Sequence, residues 1–179
     1  MLSAPLQKIP TASQRFHVLP IVLLLSSYFG LRVLFKYWEA SKQAFIYPTG
    51  YLVNCFYGQG SYTGNQWQLA IGNTPFTLSS QCSGTTFFSL LVAFIIFKAA
   101  QQPRWWAYLL LAYPITLIAN TTRVTSLMFT HKTLAHINAI QYDEIAHIIV
   151  GTVTFLSFFL MCILIFEYCT QRPVKGFSK

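Results

Sequence analysis

Apolar residues fall in long blocks along this chain, and the blocks are too long for the strands or half-buried helices of a water-soluble domain. A hydrocarbon layer about 30 Å thick needs roughly 20 apolar residues at about 1.5 Å per residue. Phe16 to Phe35, Trp105 to Phe129 and Ile145 to Phe166 meet that length, and Gly84 to Ala100 is a shorter, nearly unbroken run. These four blocks are the predicted transmembrane helices. Ala44 to Phe56 is only about 13 residues, too short to span comfortably. With Pro48, Gly50 and Asn54 inside it, it reads as an amphipathic helix lying in the membrane interface, a fifth span being the alternative.

The period changes after that helix. Gln66-Trp67-Gln68-Leu69-Ala70-Ile71, then Gly72-Asn73, then Pro75-Phe76-Thr77-Leu78 predict a β-hairpin. Strand edges are not tolerated in lipid, so the hairpin is expected in the aqueous or headgroup layer just before Cys82. The fold class expected is an all-α integral membrane protein, residues 1–179 forming one domain, with a short extracytoplasmic β-hairpin.

Composition agrees with the pattern. The 179 residues are 54% hydrophobic and only 9% charged, too little polar surface for a soluble fold of this size. The net charge of +8 comes from residues scattered between apolar runs, so they read as topology anchors, and no nucleic-acid partner is expected. Lys98 and Arg104 flank the Gln101-Gln102-Pro103 turn, and Arg172, Lys175 and Lys179 close the chain, so both places are expected in the cytoplasm. Lys8 and Arg15 argue for a cytoplasmic N-terminus, while Arg32, Lys36 and Lys42 argue the reverse. Four spans with both ends inside is the reading adopted. The first apolar run also fits a signal peptide, but it lacks a clear small-x-small cleavage site and is expected to stay as an anchor.

Three polar residues near span ends carry candidate chemistry: Cys82 in Gln81-Cys82-Ser83-Gly84, Arg123 in Ala119-Asn120-Thr121-Thr122-Arg123-Val124, and His147 at the start of the last block. Arg104 to Arg123 is about 28 Å of helix and Cys82 to Lys98 about 24 Å, so all three are expected at one depth on the extracytoplasmic side. A thiol at a helix N-terminus near a cation favours the thiolate, which can attack a carbonyl. His147 would then protonate the leaving amine, and Arg123 would stabilise the oxyanion or hold a substrate carboxylate. Asp143, one turn before His147, is a candidate to fix the ring tautomer, and Gly151, one turn after it, would admit a neighbouring helix.

Blander readings stand beside these. Cys55, Cys162 and Cys169 read as small buried hydrophobes, and a Cys55 to Cys82 disulfide would block the thiol. Arg123 could snorkel to headgroups. His131, His136, Asp143 and His147 match no familiar zinc spacing, so no metal or cofactor is expected.

Cys82-Ser83-Gly84, the Ala119-Asn120-x-x-Arg123-Val124 run, and His147 with Gly151 and Phe155 together resemble the exosortase and archaeosortase family, over about Gln43 to Phe159. The compact length is similar to the kind called exosortase K. The resemblance implies a membrane-embedded cysteine protease or transpeptidase of the cytoplasmic membrane, its site at the outer face. It would cleave C-terminal sorting signals of exported proteins, each a short motif, a transmembrane helix and a basic tail. The family's Cys, Arg and His carry over to Cys82, Arg123 and His147. The expected partners are that transmembrane tail, membrane lipid and an amine acceptor. The competing class is a non-catalytic membrane scaffold or transporter subunit.

Overall fold

The computed structural model describes residues 18–57, 60–64, 66–71, 74–78, 82–136 and 143–171. Five helices and one small sheet follow in the order α1 (Val18–Tyr37), α2 (Glu39–Tyr57), β1 (Gly60–Thr63), β2 (Gln66–Ile71), β3 (Thr74–Leu78), α3 (Thr85–Ala99), α4 (Leu109–His136) and α5 (Asp143–Gln171). α1 packs on α3, α3 on α4, α4 on α5, and α2 on α4. Among the described residues, α1 and α5 are long and apolar enough to cross a membrane, and α3 is apolar but shorter. Lys8, Arg15, Arg172, Lys175 and Lys179, used in the topology reading, and the Gly72-Asn73 pair, used for the hairpin, lie outside the described residues.

The apolar blocks became helices, but three boundaries moved. α4 is preceded by a 3-10 turn, Pro103–Tyr108, and runs on to His136, so the first half of the expected 130–142 loop is helical. Leu127 and Met128, just before the extension, are buried, while the described side chains of 130–136 are partly or fully exposed. Arg123 therefore sits near the middle of α4 rather than near its end. α2 begins at Glu39 and keeps its helical path through Pro48, so it is longer than the Ala44 to Phe56 stretch. Its acidic first residue suits the positive end of the helix dipole. It lies along α4: Tyr113 donates to the Ala44 carbonyl at 2.6 Å, and Val53 shares a core with Val124 and Met128.

The hairpin is present, with Trp67 opposite Leu78 and Ile71 opposite Thr74. A third strand, β1, pairs with β2 across a turn that places Gly64 at a φ of 57°. Thr63-Gly64-Asn65-Gln66 repeats the Gly-Asn signal of the second turn, so this strand was within reach of the same argument. Period-two alternation turns Trp67 and Leu69 inward while Gln66 and Gln68 face out. The buried side chains join Ile46, Val53, Leu78 and Cys82 in one cluster, which fixes the sheet on α2 beside the cysteine.

A second core of Phe87, Leu91, Ile95, Trp105, Cys162 and Phe166 fills the space between α3, α4 and α5. Cys162 is buried as expected, but Cys55 and Cys169 are exposed on the outer faces of their helices. α3 and α5 meet at both ends. Cys82 Sγ lies 3.6 Å from His147 Nε2 at one end, and Lys98 Nζ lies 2.6 Å from Glu167 Oε1 at the other. His147 to Glu167 is about 30 Å of helix, close to the hydrocarbon thickness.

The Lys98 to Glu167 pair is therefore a register pin. Lys98→Glu and Glu167→Lys should each lower the melting temperature in detergent, and the double exchange should recover most of the loss. Both side chains are partly exposed, so a coupling of about 1 kcal/mol is expected. A double variant as unstable as the sum of the singles would mean that the pair does not hold the helices.

Candidate functional site

Cys82 is held by its own backbone. Gly84 caps α3 in the left-handed region at φ 75°, where a side chain is strained, and a Cβ there would come within 2.9 Å of Asn120 Cγ. This close approach lets Asn120 Nδ2 donate to the Cys82 carbonyl at 2.8 Å and to Thr49 Oγ1 at 3.1 Å. Asn120 and Thr49 are both fully buried. One amide thus ties the cysteine to α4 and α2. The buried Ser83 and Thr85 hydroxyls lie 3.0 Å apart, and Phe88 N donates to the Gly84 carbonyl at 3.0 Å to begin the helical ladder. Thr49 carries no motif signal in the sequence, which is why it escaped notice there.

The α5 side of the site is one stripe. His147, Gly151 and Phe155 are spaced four apart, so they lie on one face of the helix. His147 is half-buried and points its Nε2 to the Cys82 sulfur, within the reach of a hydrogen bond to sulfur. Gly151 leaves room for the Arg123 side chain, whose Nε would lie 2.9 Å from a Cβ at that position. Phe155 lies under the guanidinium, with 5.0 Å from Arg123 Cζ to the ring centroid. Phe87 of α3 stacks on Phe155 at 5.0 Å and supports it from behind. The spacing His-x-x-x-Gly-x-x-x-Phe is thus a contact, a gap and a platform in succession.

Arg123 is only 7% exposed. Its Nε has no hydrogen-bond partner among the described residues, and the same holds for Asn120 Oδ1. A cavity of about 730 Å³ opens over the site, lined in part by Ser83, Gly84, Arg123, His147 and Gly151. Asp143 is the first residue of α5, but its side chain lies outside the described residues. Among the described residues no group of three or more His, Cys, Asp or Glu is placed to hold a metal ion.

The three elements with chemistry meet at a single point within a helical membrane architecture. The family model described as transmembrane exosortase matches residues 49–164, a span that contains Cys82, Arg123 and His147. The chain belongs to the transmembrane exosortase family. No curated protein and no solved structure matches it significantly.

The clamp on Cys82 predicts a stability effect separate from any chemistry. Asn120→Ala leaves the buried Cys82 carbonyl and Thr49 hydroxyl without the amide, at a cost of about 1–3 kcal/mol. A lower melting temperature in detergent checks it. An unchanged one would mean that the amide contributes no net stability.

Proposed function

We propose that the chain is a membrane-embedded cysteine protease or transpeptidase that cleaves the C-terminal sorting signals of exported proteins, with Cys82, Arg123 and His147 as its catalytic residues. One observation carries the reading. The Cys82 sulfur lies 3.6 Å from His147 Nε2, and His147 shares the lining of one cavity with the Arg123 guanidinium.

The chemistry follows from that pairing. His147 Nε2 takes the Cys82 proton, and the thiolate attacks the scissile carbonyl, forming a carbon–sulfur bond. Negative charge develops on the carbonyl oxygen, and the Arg123 guanidinium stabilises it. As the intermediate collapses, the carbon–nitrogen bond breaks and His147 gives its proton to the departing amine. The product is a thioester on Cys82. Water or an amine acceptor then attacks the thioester, with His147 as base, and restores the thiol.

The topology proposed with it has four spans, α1, α3, α4 and α5, in the cytoplasmic membrane. Lys98 and Arg104 face the cytoplasm, and the site with its sheet faces outward. A substrate's transmembrane tail enters sideways from the lipid, and α2 and the sheet form the floor and lid beside the scissile peptide.

Two outcomes test the catalytic assignment. Cys82→Ala should abolish processing of a tail-bearing substrate, and His147→Gln should slow alkylation of Cys82 by an impermeant thiol reagent at least tenfold at neutral pH. Processing that persists without the thiol would favour a non-catalytic membrane scaffold. Arg123→Lys keeps the charge but loses the planar fork, so processing should fall at least 100-fold while the protein stays folded. Full activity in that variant would take Arg123 out of the site.

A further inference from the structure

The cavity beside Cys82 has a second set of side chains that the cleavage chemistry does not use. Arg32 and Lys36 of α1 and Lys42 of α2 line it, and no Asp or Glu does so among the described residues. Arg32 Nη1 donates to Thr86 Oγ1 at 2.6 Å, which fixes the guanidinium at the head of α3. The Lys42 side chain is only 18% exposed and is paired with Glu39, itself largely exposed. Arg32 and Lys36 are exposed, yet all three cations line the same concavity.

The rest of the wall is hydrocarbon. Phe29 and Val33 of α1 face the cavity with Ile148 and Phe155 of α5, and α1 and α5 are the two helices with the clearest membrane-spanning character. The cavity is thus cationic at one part of its wall and apolar at another, and bounded by helices that meet lipid. A ligand matching both parts is an amphiphile with an anionic head. Guanidinium and ammonium donors together suit the non-bridging oxygens of a phosphate.

The geometry points to a phospholipid-binding site in this cavity, with the lipid phosphate held by Arg32, Lys36 and Lys42 and an acyl chain along Phe29, Val33 and Ile148. The site goes beyond the proposed peptidase and does not require it, since binding is read without turnover. Incidental snorkelling of the same side chains to surrounding lipid would give no preference between lipids and no fixed stoichiometry.

The test uses the full chain, delipidated in detergent, and a fluorescent phosphatidylglycerol as probe. Saturable binding near one lipid per protein is expected, with at least a tenfold loss of affinity in the Arg32→Gln/Lys36→Gln variant and no change in Lys132→Gln, which alters an exposed cation elsewhere. Lys42→Gln alone should also weaken binding, which keeps the test open if the double variant melts early. Unlabelled phosphatidylglycerol should compete, while diacylglycerol and glycerol phosphate at equal concentration should not. Unchanged affinity in well-folded variants, or equal competition by diacylglycerol, would overturn the site. Glycerol phosphate competing as well as the intact lipid would overturn the lipid assignment in favour of a soluble phosphate. Displacement by an acidic peptide, with phosphatidylglycerol failing to bind, would overturn it in favour of a peptide carboxylate.

Discussion

A guanidinium placed inside a helical membrane protein sets the terms for everything packed against it. Arg123 is only 7% exposed, and taking a charged guanidinium out of water is costly unless its surroundings compensate. Here compensation comes from the Phe155 ring beneath Arg123 and from the cavity that it lines. Gly151 is what makes the approach possible, because any larger residue would push the side chain away. Nε remains without a partner among the described residues. A buried cation with an unused donor is poised to receive negative charge, and the cleavage chemistry proposed above develops that charge next to it.

The remaining architecture serves to keep the sulfur in register with that cation. The two cores divide the work. One packs α3, α4 and α5 together behind the site, and the other joins α2 and the sheet to Cys82. Asn120 crosses between them, since a single amide reaches both Thr49 and the cysteine carbonyl. At the far end, the Lys98 to Glu167 pair resists sliding of α3 past α5. A slip of one helical turn, about 5.4 Å, would separate sulfur from imidazole completely. The fold is thus a register device as much as a container.

Much of this was readable before the structure because two rulers are strong. The bilayer length located the apolar blocks that became α1, α3, α4 and α5, and the Gly72-Asn73 pair marked the hairpin between β2 and β3. The helical spacing of His147, Gly151 and Phe155 was visible, though its meaning as contact, gap and platform needed Arg123 in place. Other features depended on tertiary contacts that no local pattern encodes. α4 continues past Phe129 to His136, and α2 keeps its helical path through Pro48 while packed along α4. Thr49 is an ordinary threonine until Asn120 reaches it. Arg32, Lys36 and Lys42 were treated only as topology anchors, since nothing in their spacing revealed a shared cavity.

The central claim is that Cys82 carries the acyl group during turnover. Incubating the full protein in membranes with a tail-bearing substrate, quenching in acid and mapping peptides by mass spectrometry tests it most directly. The account predicts a hydroxylamine-labile adduct on the peptide containing Cys82, its mass equal to the substrate segment upstream of the cut. Cleavage with no such adduct, under conditions that trap the intermediate of a known thiol peptidase, or an adduct on Cys55, Cys162 or Cys169 instead, would contradict it.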